Sequence, residues 1–137
     1  MFNQNMNNGN FMGFFFICRP NVDSMETCWS LSSEERSVKH FHFTVWPDRG
    51  VPQGTEVLIQ FRRIVRQDIE SDGSESPTVV HCSDGVGRTG TFIALDFLLQ
   101  QLEKQQAVGI KDFLHRMRRH RSHMVQTEVK LLYAASG

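Results

Sequence analysis

The stretch VVHCSDGVGRTGTF, residues 79 to 92, decides how this chain is read. The β-branched residues of TVV, 78 to 80, directly after Ser76-Pro77, indicate a short buried strand, although three residues are too few to show a period. A glycine run follows. From about Arg88 to Gln106 the sequence is helical and apolar nearly all round in its first half, through Phe92, Ile93, Ala94, Leu95, Phe97, Leu98 and Leu99. That half belongs in the core. The unit is a strand, a glycine-rich turn and a buried helix, with Cys82 entering the turn and Arg88 six positions later.

Three readings of that turn differ in what they explain. Gly85, Gly87 and Gly90 satisfy the G-x-G-x-x-G spacing of a dinucleotide-binding turn, in the strand-to-helix setting it requires. That motif also needs an acidic residue about 20 positions on, after the next strand. Glu103 has the distance but falls in a helix, and Arg88 would crowd the backbone approach the glycines permit. A phosphate loop ending in Gly-Lys-Ser/Thr is absent. A plain strand-to-helix turn with an inert cysteine explains the glycines and leaves Arg88 without a reason. An anion cradle explains all of them. The N–H groups of Ser83, Asp84, Gly85, Val86, Gly87 and Arg88 curl into a nest at a helix N-terminus, which favours a phosphate and a thiolate at Cys82. Arg88 adds a planar fork for two phosphate oxygens. His81 is placed to fix the cysteine backbone, and Thr89 to offer a hydroxyl to the sulfur. The chemistry is nucleophilic attack at phosphorus.

Upstream, Phe41, Phe43 and Val45 alternate with His40, His42 and Thr44 from Lys39 on, the period of a half-buried strand. WPDRGVP, 46 to 52, ends it in a loop. Val57, Leu58, Phe61, Ile64, Val65 and Ile69 then recur at three- and four-residue steps. They mark an amphipathic helix closed by SDGSESP, with Arg62, Arg63 and Arg66 on its other face. Further helices are expected at 109 to 119 and from Gln126 onward. Residues 1 to 34 begin with Asn-rich MFNQNMNNGN and are expected to be mostly irregular. Two strands among three or four helices indicate an α/β or α+β domain.

The chain has 137 residues, enough for one domain. Fifteen Lys and Arg balance fifteen Asp and Glu, so no global field favours nucleic acid or an anionic membrane. The basic run HRMRRHR, 115 to 121, lacks interleaved aromatics and reads as a solvated helix face. Cys18, Cys28 and Cys82 form neither a disulfide framework nor a CxxC pair, and are expected to be free thiols in a reducing, cytoplasmic setting. FMGFFFIC, 11 to 18, is too short to span a bilayer and lacks the flanks of a signal peptide. His40 and His42 share a strand face, but no third ligand is placed beside them, so no metal is assigned.

HCSDGVGRTG resembles the signature of the protein-tyrosine phosphatases. WPDRGVP resembles that family's acid loop, with Asp48 as its aspartate, and MVQT, 124 to 127, resembles its glutamine loop. The three motifs follow one another in the family's order. The likeness covers about residues 34 to 133 and is most similar to receptor-type members. It implies an α/β fold with a twisted mixed sheet flanked by helices. Residues 35 to 137 would form the C-terminal half of a catalytic domain, the N-terminal half being missing. It also implies a cysteinyl-phosphate mechanism without metal or cofactor, acting on phosphotyrosine-containing proteins. Cys82 attacks phosphorus and Arg88 with the loop amides binds the equatorial oxygens. Asp48 serves as acid and then base, and Gln126 holds the hydrolytic water. Trp46 is expected to pack in the core and anchor the loop hinge, and is counted with the substrate-binding residues.

The sequence departs from the family at two site positions. Lys130 stands where many members have a second glutamine. Asp84 stands where most active members carry alanine, and certain receptor-type members with aspartate there are silent, though those also lack the acid-loop aspartate. Two readings of Asp84 follow. At roughly 6 Å, a carboxylate opposes each unit of phosphate charge by at most on the order of 3 kcal/mol, less if its side chain points away from the anion. Alternatively it caps the helix N-terminus. A second function therefore stands beside hydrolysis: a silent module that binds phosphotyrosine without turning it over.

Overall fold

The computed structural model describes residues 15–20, 38–47, 50–73, 77–127, 130 and 133. Six elements follow in chain order: β1 (Phe15–Pro20), β2 (Val38–Phe43), α1 (Glu56–Asp72), β3 (Val79–His81), α2 (Gly87–Gln105) and α3 (Ile110–His120). Helical structure beyond Gln126 is described at Lys130 and Tyr133. The stretch 1–34, expected to be mostly irregular, contains β1. This strand is held on both sides by partners far away in sequence, which no local pattern in FFICRP announces.

The sheet has the order β2-β1-β3. Phe16 pairs with His42 on one side and His81 on the other, and both pairings are antiparallel. The α/β architecture is as expected, but among the described residues the sheet is antiparallel where a mixed one was expected. β2 and β3 run in the same direction, with α1 between them in the chain, and β1 fills the place where they would have paired. Among the described residues β3 therefore lies at an edge, and Val79 is 55% exposed, against the expectation of a buried strand.

Phe43, Trp46, Leu58, Val65, Phe92, Leu95 and Tyr133 form the main core, with Phe41, Phe61, Ile69 and Val80 packed against it. Phe61 links β2 to α2, meeting Phe43 edge-on at 5.1 Å and Phe92 at 6.0 Å between ring centroids. Such aromatic pairs add about 0.5–1.5 kcal/mol each beyond their burial. Three expected core positions are exposed: Val45, because β2 stops at Phe43, and Val57 and Ile64, which flank the buried stripe of α1. Phe97 is also partly exposed, so the first half of α2 is not apolar-packed all round. Its ring stacks on Phe113 of α3 with centroids 4.0 Å apart.

Arg62, expected on the solvent face of α1, is buried. Its Nε donates to Asp96 Oδ1 of α2 at 2.8 Å, and its Nη1 reaches Glu103 Oε1 at 3.4 Å. Arg66 also donates to Asp96 through Nε and Nη2, and Gln100 Nε2 adds a bond at 3.0 Å. Partial burial disfavours charge on Asp96, but the hydrogen bonds from Arg66 and Arg62 outweigh it and hold the carboxyl below its ordinary value. A carboxylate bonded by two guanidinium groups thus locks α1 to α2, the helix that begins at the cradle.

Candidate active site

β3 ends at His81, and the chain turns through Cys82 to Val86 before α2 begins at Gly87. Gly85 makes the turn with φ of 67°, a conformation an L side chain adopts at a cost. The turn ends with the Gly90 N–H bonded to Val86 O at 3.1 Å. Cys82 is half-buried at the foot of this loop, and its Sγ accepts a hydrogen bond from Thr89 Oγ1 at 3.1 Å. The buried Thr89 comes back to the sulfur because it lies within the first turn of α2. His81 is exposed at the end of β3.

A second segment closes one side. Arg88 Nη2 donates to Pro47 O at 3.4 Å, joining the cradle to WPDRGVP across 41 residues. Trp46 anchors that segment, with its ring 1% exposed against Phe43 and Tyr133 and its Nε1 donating to Gly50 O at 3.1 Å. Trp46 presents no surface to a ligand, so its place among the substrate-binding residues is corrected: a ring this size is worth more in the core than at the mouth of the site. Tyr133 fixes the far end of the segment through a 2.8 Å bond from its hydroxyl to Gly54 O. Burial, with the nearby Glu56 charge, pushes that phenol up to about 12. Asp48 and Arg49 lie outside the described residues.

The third segment is MVQT. Gly90 permits its approach, since a Cβ there would overlap the Val125 backbone nitrogen. Val125 N–H donates to Val86 O at 3.2 Å. Val125 is fully buried with φ of 56°, an unusual state for a β-branched residue that costs on the order of 1–3 kcal/mol. Arg118 holds it there by donating from Nε to Met124 O at 2.9 Å and from Nη2 to Val125 O at 3.0 Å. This places Gln126 beside the cradle. A Cβ on Gly87 would stand 3.1 Å from Gln126 Oε1 and 2.6 Å from Lys130 Nζ, so both side chains end over Gly87.

Asp84 does not point away. Its Oδ1 accepts hydrogen bonds from the Val86 N–H at 3.1 Å and the Gly87 N–H at 3.4 Å, and from the Cys82 thiol at 3.1 Å. The carboxylate is therefore much nearer to the nest than expected of it. Of the two expected roles, the bonds match the cap: the N–H groups of Val86 and Gly87 stand at the start of α2. Partial burial disfavours its charge, but the bonds from Val86, Cys82 and Gly87 outweigh that and hold the carboxyl below the usual carboxylate range.

Two supporting residues escaped the sequence reading. Arg118 clamps the glutamine loop, and Arg121 Nη2 donates to Asp84 O at 3.1 Å from just beyond α3. Both sit in HRMRRHR, whose basic side chains are all exposed, these two included. Their spacing of three, at the end of a helix that stops shortly before MVQT, was the available signal.

A thiol bonded by Thr89 and to Asp84, an arginine tied to a second loop, and a glutamine over Gly87 thus meet at the start of α2. The sequence model of the family described as protein-tyrosine phosphatase matches residues 18–136, and the chain belongs to that family. The match begins within β1, upstream of the likeness read from the motifs. Over 102 residues, 74% of this chain, it is 48% identical to receptor-type tyrosine-protein phosphatase eta of Homo sapiens. The eta protein of Gallus gallus is 45% identical over 82% of the chain. Tyrosine-protein phosphatase non-receptor type 2 of Rattus norvegicus is 39% identical over 75% of it. The chain spans 8% of the length of the two eta proteins and 25% of the non-receptor one. No helix among the described residues is long and apolar enough to cross a membrane.

Proposed function

We propose that this chain hydrolyses phosphotyrosine in proteins through a cysteinyl-phosphate intermediate. The observation that carries the proposal is the position of Cys82 Sγ, bonded by Thr89 Oγ1 at the start of α2, beside an Arg88 that touches the WPDRGVP segment. In the first step the Cys82 thiolate forms a bond to phosphorus as the bond to the tyrosine oxygen breaks. Arg88 and the amides of the loop stabilise charge on the equatorial oxygens. Asp48 gives the departing oxygen its proton. In the second step Gln126 orients a water, Asp48 takes its proton, and the sulfur leaves as phosphate is released. Thr89 stabilises the sulfur when it carries charge. Phosphotyrosine proteins are the partners, and the site works in the cytoplasm. Cys82→Ser is expected to abolish release of phosphate from a phosphotyrosine peptide while inorganic phosphate still binds, since serine keeps the loop and supplies no thiolate. Retained turnover in the serine variant would rule out the covalent route.

One observation favours a second reading. The Asp84 carboxylate already bonds the Val86 and Gly87 amides, so the cradle holds an anion of its own. On that reading the chain is a silent module that engages phosphotyrosine partners without turnover. Phosphotyrosine peptide binding with no phosphate release by the parent chain, and release by Asp84→Ala, is its signature.

A further inference from the structure

We propose that His40, His42 and Cys18 form a site for a divalent metal ion of the zinc class, on the face of the sheet turned away from α1. The proposal does not depend on the chemistry of Cys82. Side chains alternate along β2. Phe41 and Phe43 pack with the core, and Lys39 Nζ donates to Asp68 Oδ1 of α1 at 2.8 Å. His40 and His42 therefore share the opposite face, where both are exposed. Their rings stack, with centroids 6.2 Å apart and planes 21° from parallel. Two imidazoles on one tetrahedral zinc have centroids roughly 5 Å apart, given Zn–N bonds of about 2 Å. The rings thus stand within about 1 Å of a chelating position, a gap that rotation of the side chains closes.

Two histidines at this spacing lack a third ligand in the sequence, and the fold supplies one. β1 pairs antiparallel with β2, and the residue opposite His40 is Cys18. Residues directly opposite share a face with Cβ atoms about 4.5–5.5 Å apart, and diagonal neighbours lie about 7–8 Å apart. The register sets Cys18 beside His40 and diagonal to His42, spacings that suit donors each about 2.0–2.3 Å from one ion. Thiolate with imidazole favours zinc over magnesium, calcium or manganese, and three protein donors leave the fourth position to water. Each ring has two nitrogens, so one can hydrogen-bond its surroundings and hold the orientation while the other binds the ion. His81 stands on the same face but two strands from His42, with Phe16 between them, and is left out of the site. An ion held this way ties β1 to β2 across the ladder.

The test uses the full chain carrying Cys82→Ser, which removes the thiol of the cradle as a competing ligand. Cobalt(II) serves as the spectroscopic probe. Its binding should give the visible bands of a tetrahedral ion together with a thiolate charge-transfer band in the near ultraviolet, and excess zinc should abolish both. Saturating zinc should raise Tm by at least about 3 °C, because the site exists only in the folded sheet. His40→Gln and His42→Gln, both at exposed positions, should each weaken cobalt binding at least about tenfold. Cys18→Ser should lose the near-ultraviolet band. No cobalt binding at about 100 μM would overturn the proposal. So would a charge-transfer band that survives Cys18→Ser, or cobalt affinity unchanged in both histidine variants. The histidine variants decide the matter by themselves if the Cys18→Ser chain fails to fold.

Discussion

Replacing Gly90 by alanine tests whether the close contact between α2 and the 124–125 segment positions the site. In an exposed helix interior the change would be favourable by about 1 kcal/mol, since glycine is the poorer helix former. Here the new methyl would overlap the Val125 backbone nitrogen and stand 3.2 Å from the Met124 carbonyl carbon and 3.3 Å from its Cα. Backbone cannot rotate aside as a long side chain does, so the segment must retreat. The retreat weakens the bond from Val125 N–H to Val86 O, worth about 1 kcal/mol, and overpacking adds about 1–3 kcal/mol. Set against the helix gain, the net loss is about 1–3 kcal/mol. It should appear in urea as a lower midpoint at an unchanged slope. Gln126 moves with the segment, and a displacement of about 1 Å can cost on the order of a hundredfold in rate. Hydrolysis of an aryl phosphate should therefore fall much further than the folded fraction does. A Gly90→Ala protein as stable as the parent, with the same rate, would show that this contact positions nothing.

Asp96→Ala leaves the buried Arg62 without its main partner and should cost about 3 kcal/mol by denaturant unfolding. Because the folded Asp96 carboxyl lies below its ordinary value, about 3.9 when unfolded, its stabilising effect is complete above that value and fades as pH falls through the folded one; Asp96→Asn should flatten that acid limb. Arg118→Lys should lower Tm and slow turnover nearly as much as Arg118→Ala, since a lysine cannot bond Met124 O and Val125 O in one planar fork; full rescue by lysine would contradict this. Asp48→Ala should slow hydrolysis of aryl phosphates with poor leaving groups far more than those with good ones, and equal losses would remove Asp48 from the acid role.

The parts legible in the sequence are those encoded locally. Cys82 and Thr89 are brought together by a strand, a glycine-rich turn and a helix start that are contiguous in the chain, and α1, α2 and α3 follow from period and breakers to within a residue or two. What escaped depends on partners distant in the chain. Arg62 sits on the same stripe of α1 as Leu58 and Val65, and burial is tolerable there only because Asp96, 34 residues later, meets it. Arg118 and Arg121 look like surface charge until the glutamine loop and the Asp84 carbonyl are in place. The inward turn of Asp84 depends on the rotamer of one side chain, which spacing does not specify.

The central position of β1 bears on how the sheet assembles. Among the described residues β3 joins the sheet only through β1, and the pairing of Phe16 with His81 closes more than twice the length of chain that its pairing with His42 does. The difference in closure entropy is small, under about 1 kcal/mol. The kinetic consequence is larger, because long-range strand pairing is the slow step in domains of this size. During synthesis β1 and β2 leave the ribosome first and can pair early. Their hairpin then presents an open edge until β3 arrives, a template for pairing with the wrong strand. Cys82 follows β3 directly, so a state in which β1 and β2 have paired and β3 has not would hold two of the three described strands with the turn after β3 still unplaced.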